Sequence, residues 1–423
     1  MAHPTGAGYA EKSKREEVMK RYLGRLAFAT AIAAVGTAWP ALAADPPKSI
    51  RIGYAVSLSG VNAQGAAVTT LPAYKLWVDD VNKKGGLMIK EFNKRIPIEV
   101  VEYDDTSNAE TAVRLTERLM TQDKVDFVLP PWSTGFNLAT APVYARNGYP
   151  QLAVTANSND AANLVKQMPT LFFFLNEPRN FGGALVQVLG GLKGKNEINN
   201  KIVMFNVADQ FGAEASSGVT PVLKNAGFDI VLSKSYPLGA SDLTNEIKEA
   251  KASGADTFVA YSYPPDTFML TNTAITQGFN PKVLYTAVGT AFAAYGANFK
   301  DKANGVLGLG GWDPTLPGAQ EYVQRQQALL GRAADGWAAP VTYASLQLLE
   351  QAIEKAGTLD RKKVLDAIES GGPYQTIVGP VDLKTHIRGK QWGVGQWQGG
   401  QFVGIAPSDL PGAKPLIFPK PAW

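Results

Sequence analysis

The chain predicts an α/β fold built from two doubly wound, mainly parallel sheets. Three observations carry that expectation. Short apolar runs alternate with longer amphipathic ones, and strand–helix alternation builds parallel sheets. The alternation starts a second time after Leu175 with a similar plan. At 423 residues the chain also exceeds what one core accommodates, which suggests two domains.

Residues 1–43 read as a leader. Lys20, Arg21 and Arg25 precede an apolar run from Leu26 to Trp39, and Ala41-Leu42-Ala43 is a small-residue cleavage signal. The run is short for a membrane span, and Asp45-Pro46-Pro47 follows it; a retained anchor is the alternative. The charged stretch before Met19 suggests that translation starts at Met19. The leader holds six of the 41 Lys/Arg and three of the 37 Asp/Glu. The remaining 35 and 34 nearly cancel, which leaves no basic patch for nucleic acid.

Ser49–Ser57 alternates as a first strand and opens into the Gly-punctuated loop Leu58–Gly65. Val68–Lys84 reads as one long helix with Leu71, Tyr74, Trp77, Val78 and Val81 inward, stopped by Gly85-Gly86. Arg95–Tyr103 is a second strand ending at Asp104-Asp105. That pair suits a metal or acid–base chemistry, or more simply caps the helix expected from Asn108. Thr111–Gln122 is helical. Val125–Leu129 is an apolar strand closed by Pro130-Pro131, and Trp132-Ser133-Thr134-Gly135 follows just before a helix ending near Gly148. Pro150–Val154 is a further strand, releasing Thr155-Ala156-Asn157-Ser158-Asn159. Leu171–Leu175 ends the first set.

The second set reads as helix Phe181–Leu192, strand Lys201–Val207, helix Thr220–Ala226, strand Asp229–Ser235, helix Leu243–Ala252, strand Asp256–Tyr261, helix Phe268–Gln277 and strands Lys282–Thr286 and Val306–Gly310. Helices return over Gln320–Leu330, Val341–Ala356 and Arg361–Ser370. A strand pair flanks Gln398-Gly399-Gly400.

Enzyme signatures are scarce. There is no Gly-x-Gly-x-x-Gly after a strand, no Walker-type loop and no Gly-x-Ser-x-Gly. The chain has no cysteine and two histidines. His3 falls in the leader, and His386 sits in a charged segment that suits a solvated loop, so nucleophile–base pairs cannot be assembled. Polar and aromatic loops at strand ends are plentiful instead, and ligands of open α/β sheets sit there. The first unit offers Trp132, Ser133, Thr134, Thr155, Asn157 and Ser158. The second offers Asp209, Gln210, Phe211, Tyr261, Ser262, Tyr263, Asp266 and Thr290. Such a cleft suits a small, partly apolar ligand, with no cofactor, metal or catalytic residue. Helix N-termini behind the loops suit an anionic end.

Ser49–Gly65, Asn82-Lys83-Lys84-Gly85-Gly86, Tyr103-Asp104-Asp105 and the block Val125–Asn157 resemble the periplasmic leucine/isoleucine/valine-binding protein family, type I solute-binding proteins of ABC importers. Tyr343 and the stretch Leu346–Gly371 resemble its late helices. The resemblance spans most of residues 49–405 in order. It implies two lobes, 44–175 plus 312–385 and 176–311 plus 386–423, joined by a three-crossing hinge. It implies export to the periplasm, a monomer, and delivery of an amino acid-like ligand to a membrane permease. Sensing of an aromatic acid or amide for a signalling receptor is the alternative. The family holds an amino acid's carboxylate and ammonium with loops matching Ser133-Thr134 and Thr155–Asn157, and with an aromatic matching Tyr261 or Tyr263. It also uses an acid where this chain has Ala287-Val288-Gly289-Thr290. A buried ammonium without a carboxylate is costly. Either Asp209 or Asp266 replaces that acid, or the ligand is not an ordinary α-amino acid. Substitution of Ser133 or Tyr261 by Ala is expected to weaken binding and spare the fold.

Overall fold

The computed structural model describes residues 45–423. The expected signal peptide and the start at Met19 lie outside the described residues. Residues 47–423 form one compact unit.

The chain runs β1 (Ile50–Val56), α1 (Ala63–Thr69), α2 (Leu71–Lys83), the hairpin β2 (Leu87–Ile89) and β3 (Lys94–Ile96), β4 (Ile98–Asp104), α3 (Ala109–Thr121), β5 (Phe127–Leu129), α4 (Thr134–Asn147), β6 (Gln151–Ala153), α5 (Ala161–Gln167) and β7 (Leu171–Phe173). It continues through α6 (Pro178–Gly194), β8 (Lys201–Val207), α7 (Gln210–Asn225), β9 (Asp229–Tyr236), α8 (Thr244–Ala252), β10 (Thr257–Tyr261), α9 (Pro264–Thr276), β11 (Val283–Thr286), α10 (Ala293–Phe299) and β12 (Leu307–Leu309). Last come α11 (Ala319–Leu330), α12 (Ala338–Ala356), α13 (Arg361–Ser370), the hairpin β13 (Tyr374–Thr376) and β14 (Gly379–Val381), then β15 (Val394–Gln398) and β16 (Gln401–Ala406).

β4, β1 and β5 form a parallel sheet in that order, and β6 pairs with β7 beside it. The larger sheet has the order β16-β15-β12-β11-β10-β8-β9. Its five strands from β9 to β12 are parallel, and β15 and β16 extend it antiparallel. Both groups thus place the first strand between the second and the third. The expectation of an α/β fold with mainly parallel sheets holds.

The expected helix Val68–Lys84 is two helices that meet at Thr70. The first begins inside the loop expected after β1. A Cβ at Gly65 would overlap the Trp132 ring, so the turn of α1 needs glycine to approach it. The Asp104–Asp105 pair caps no helix. Asp104 accepts the N–H groups of Leu58, Ser59 and Thr106, Asp105 accepts the Ser57 hydroxyl and the Ser107 N–H, and Asn108 caps α3. The pair therefore ties the loop after β1 to the loop after β4.

The chain passes between the two sheet groups three times. The first pass follows β7, the second leaves β12, and the third runs from Ile387, bridged to Phe173, into β15. The first and third lie side by side, since Asn176 Nδ2 donates to the Gly389 carbonyl (2.9 Å) and Gln391 Nε2 to that of Leu175. His386, expected in solvent, is stacked on Phe172 with ring centroids 4.2 Å apart. Its Nδ1 faces the Leu171 carbonyl and its Nε2 faces Glu369. The flat apolar face of Phe172 shelters the ring where the third pass begins.

The returning helices join the first group. Trp77, fully buried on α2, donates from Nε1 to Glu350 on α12 (3.0 Å). Tyr343 donates to Asp80, and Arg325 on α11 pairs with Asp79 (2.7 Å) and Asp80. α12 starts at a buried cap, where Asp335 accepts the N–H groups of Trp337 (2.6 Å) and Ala339 (2.9 Å). Those bonds favour the carboxylate, but burial outweighs them and pushes its pKa up to about 6.

A folded-state pKa above the unfolded value of about 3.9 means that the native state binds the extra proton. Asp335 therefore contributes stability that grows as pH falls through 6. In urea titrations, the wild-type unfolding free energy relative to Asp335→Asn should rise by about 1 kcal/mol from pH 7.5 to pH 5. A difference that stays flat across that range would remove the assigned shift.

Candidate functional site

In an open parallel sheet, a ligand crevice forms where the strand order reverses, beyond the carboxyl ends of the strands. The reversals here fall between β1 and β5 and between β8 and β10. The loops leaving β5, β8 and β10 meet around one small cavity. Trp132 and Ser133 follow β5, Phe211 follows β8 and Tyr263 follows β10. Thr69 at the end of α1, Val154 and Thr155 after β6, Leu175 in the first pass, Val288 after β11, and Trp337-Ala338 at the start of α12 complete the wall.

Three rings cross it. Tyr263 stacks on Phe211 with centroids 5.1 Å apart and planes 19° apart, and meets Trp132 at 4.9 Å and 49°. Trp132 is fixed from behind by Gly65 and by its Nε1 bond to Thr69 Oγ1 (2.9 Å). The rings leave a cavity of about 30 Å³. One water takes roughly 10–15 Å³ on that measure. The walls must part before anything larger than two waters enters.

The polar side is built on the α4 N-terminus. Ser133 has φ 83° and caps the helix, its Oγ accepting the Phe136 N–H (3.3 Å). Its own N–H donates to Thr155 Oγ1 (3.1 Å). The Thr155 hydroxyl also accepts from Asn137 Nδ2 (3.1 Å) and donates to the Pro131 carbonyl (3.3 Å). Two acceptances and one donation exhaust a hydroxyl. Thr155 therefore holds the loop in shape, whereas the Ser133 hydroxyl keeps its proton for another acceptor.

Four helices start at this cavity, with Ser133, Asp209, Tyr263 and Trp337 as their N-caps. Each N-terminus brings free N–H groups and a partial positive charge. Acids answer three of them. Asp209 accepts the Gly212 N–H (2.9 Å), Asp266 faces the Tyr263 N–H and the Tyr236 hydroxyl (3.4 Å each), and Asp335 caps α12. Burial raises all three pKa values, that of Asp266 to about 6. The first turn of α4 carries no acid. The α4 N-terminus is thus capped by the Ser133 hydroxyl and not by an acid.

Five of the fourteen residues that the sequence offers at the strand ends line this cavity: Trp132, Ser133, Thr155, Phe211 and Tyr263. The other nine do not line it. Tyr261 is the last residue of β10 and points into the core, 1% exposed, edge-on to Tyr285. Tyr263 lies beyond the sheet pairing and faces the cavity, also buried. Asp266 is spent at the start of α9. Thr290 bonds Thr286, and its carbonyl receives Trp397 Nε1. Thr134 and Asn157 are buried just behind the wall; Thr134 Oγ1, Asn157 Oδ1 and the Tyr263 hydroxyl make no hydrogen bond among the described residues. The Tyr263 hydroxyl lies beside the Asp209 carboxyl. Unpaired buried polar atoms are costly, which makes these three groups candidates for a ligand's hydrogen bonds.

Thr69, Val154, Leu175, Val288, Trp337 and Ala338 were not expected at the site. The signal for Trp337 was present: Asp335-Gly336-Trp337 opens a helix that the sequence places from Val341. Among the described residues no group of three or more metal-ligating side chains occurs, and no helix is long and apolar enough to cross a membrane.

Comparison with known proteins agrees with this architecture. Residues 49–401 match the family model described as periplasmic binding protein. The chain is 23% identical over 354 residues to Leu/Ile/Val-binding protein homolog 7 of Brucella suis, covering 78% of this chain and 84% of that one. It also superposes on the branched-chain amino acid transporter substrate-binding protein of Streptococcus pneumoniae in complex with isoleucine (TM-score 0.69, 20% identity, 84% and 98% covered). A solute-binding protein of an ABC transporter from R. palustris in complex with benzoate gives a TM-score of 0.70 at 17% identity, with 84% and 95% covered. These relatives are binding proteins, not enzymes, and the chain belongs to the periplasmic binding protein family.

Proposed function

We propose that this protein is the periplasmic substrate-binding protein of an ABC importer, and that it captures a small aromatic or similarly amphipathic carboxylic acid for delivery to a membrane permease. The carrying observation is the division of labour in the cavity. Trp132, Phe211, Tyr263 and Trp337 offer ring faces, and Ser133 offers a hydroxyl proton at the one helix N-terminus without an acid. A carboxylate at that helix N-terminus and a flat apolar body between the rings satisfy both.

An α-amino acid fits less well. Its ammonium needs a carboxylate, and Asp209, Asp266 and Asp335 already serve backbone N–H groups. The benzoate complex of a protein with the same fold supports the aromatic reading. One observation favours a branched-chain amino acid instead: the Asp209 carboxyl lies beside the Tyr263 hydroxyl and so next to the cavity that Tyr263 lines.

In this reading the lobes comprise 44–175 with 312–385, and 176–311 with 386–423. They open about the three passes and close on the ligand. Ligand sites measure about 300–1,000 Å³, so an opening motion is required to fill a cavity that is far smaller.

Isothermal titration of the mature protein against benzoates, branched-chain amino acids and short amides tests the ligand class. A benzoate should bind saturably and without turnover, at least tenfold tighter than leucine, and raise the melting temperature. Tighter binding of leucine would overturn the aromatic reading, and no binding across the panel would count against the site. In the same titrations Trp132→Ala and Tyr263→Ala should each cost about tenfold or more in affinity. Tyr261→Ala should instead destabilise the fold by about 3–5 kcal/mol, because it empties a core position.

A further inference from the structure

Ser158 and Asn159 belong to the polar cluster after β6 that the sequence aims at a ligand, but they hold the opposite side of the cleft. Glu214 lies on α7, which packs on the larger sheet. Its Oε1 accepts from the Ser158 hydroxyl (3.1 Å) and its Oε2 from the Asn159 N–H (2.7 Å). Asn159 Nδ2 donates in return to the Glu214 carbonyl (2.7 Å) and to Ser217 Oγ (3.0 Å). Gln210, one turn earlier, donates to Glu214 Oε1 (3.0 Å) and so aims the carboxylate across the gap. Arg179 in the first turn of α6 donates to the Asn159 carbonyl (3.1 Å) and pairs with Glu177. None of these residues lines the cavity.

A glycine provides an independent observation. Gly218 sits inside α7, where glycine is unfavourable. A Cβ there would overlap Asn159 Oδ1 and crowd Pro178. The helix gives up propensity where the Asn159 side chain rests on it.

We propose that Glu214, Asn159 and Gly218 form an interlobe latch that sets the balance between closed and open forms, and through it the affinity and release rate for any ligand. The proposal rests on the two-lobe closure described above. Glu214 is a positioning residue: it touches no ligand, and holds Ser158 and Asn159 against α7 only when the lobes meet. A protein whose competent form is a fraction of the whole binds with an affinity reduced by that fraction. Charge-assisted hydrogen bonds are the strong ones, so loss of this carboxylate should move the balance about tenfold.

The chain has no cysteine, so labels can be placed freely on the mature protein. Arg114→Cys on α3 and Lys248→Cys on α8, both exposed, put one spin label on each side. Pulsed dipolar distance measurements without ligand read the closed and open populations directly. Glu214→Ala and Asn159→Ala should each shift the closed-to-open ratio about tenfold toward the longer distance, with the melting temperature close to the parent's. Glu214→Gln should fall between them and the parent. Distance distributions identical to the parent's in both alanine variants would overturn the latch. The distances are read without ligand, so failure of the ligand panel would strike the proposed function and leave this result standing.

Discussion

The reversal of strand order in two parallel sheets is the constraint on which the rest of this molecule depends. Neighbouring strands on either side of a reversal send their connections to opposite faces, so a gap must open at their carboxyl ends. β5, β8 and β10 border the reversals, and Trp132, Phe211 and Tyr263 are the aromatic residues just beyond them. The sheets themselves are ordinary buried parallel structure. Their central strands are apolar because both faces are covered, whereas the edge strands β4 and β9 are partly exposed, and most of the polarity is left to the loops.

Helix geometry supplies the electrostatics of the gap. Each loop leads directly into a helix, so four N-termini converge on one small volume. Unanswered, so many partial positive charges would be unfavourable among buried rings. Asp209, Asp266 and Asp335 answer three of them, and burial raises the pKa of each. The α4 N-terminus has only the Ser133 hydroxyl as its cap, with Ser133 held at positive φ by Thr155 and Asn137. The carboxylates near the gap are engaged by backbone N–H groups of the helices they serve, so their number alone does not describe its charge.

Much of the fold and part of the site were legible in the sequence. The strand Val125–Leu129 and the loop Trp132–Thr134 could be read because apolar runs ending in proline and hydroxyl residues have few alternatives. The same reasoning could not separate Tyr261 from Tyr263. They lie two residues apart, and only the point where β10 stops pairing decides which ring turns out of the core. It could not divide Val68–Lys84 at Thr70, since both pieces keep a helical apolar stripe. Nor could it see that Ser158 and Asn159 bind α7, because that contact joins residues more than fifty positions apart.

By itself the sequence determined the α/β class, the doubling of the plan, the absence of thiol chemistry and the polar loops at the strand ends. These follow from local periodicity and composition, which a single chain carries in full. Only the tertiary structure decided which loops meet, which acids are spent as helix caps, and which hydroxyls keep a free hydrogen bond. Those properties depend on the distance and direction between residues remote in the chain, and hydrogen-bond capacity, unlike hydrophobicity, is defined only once the partner is in place.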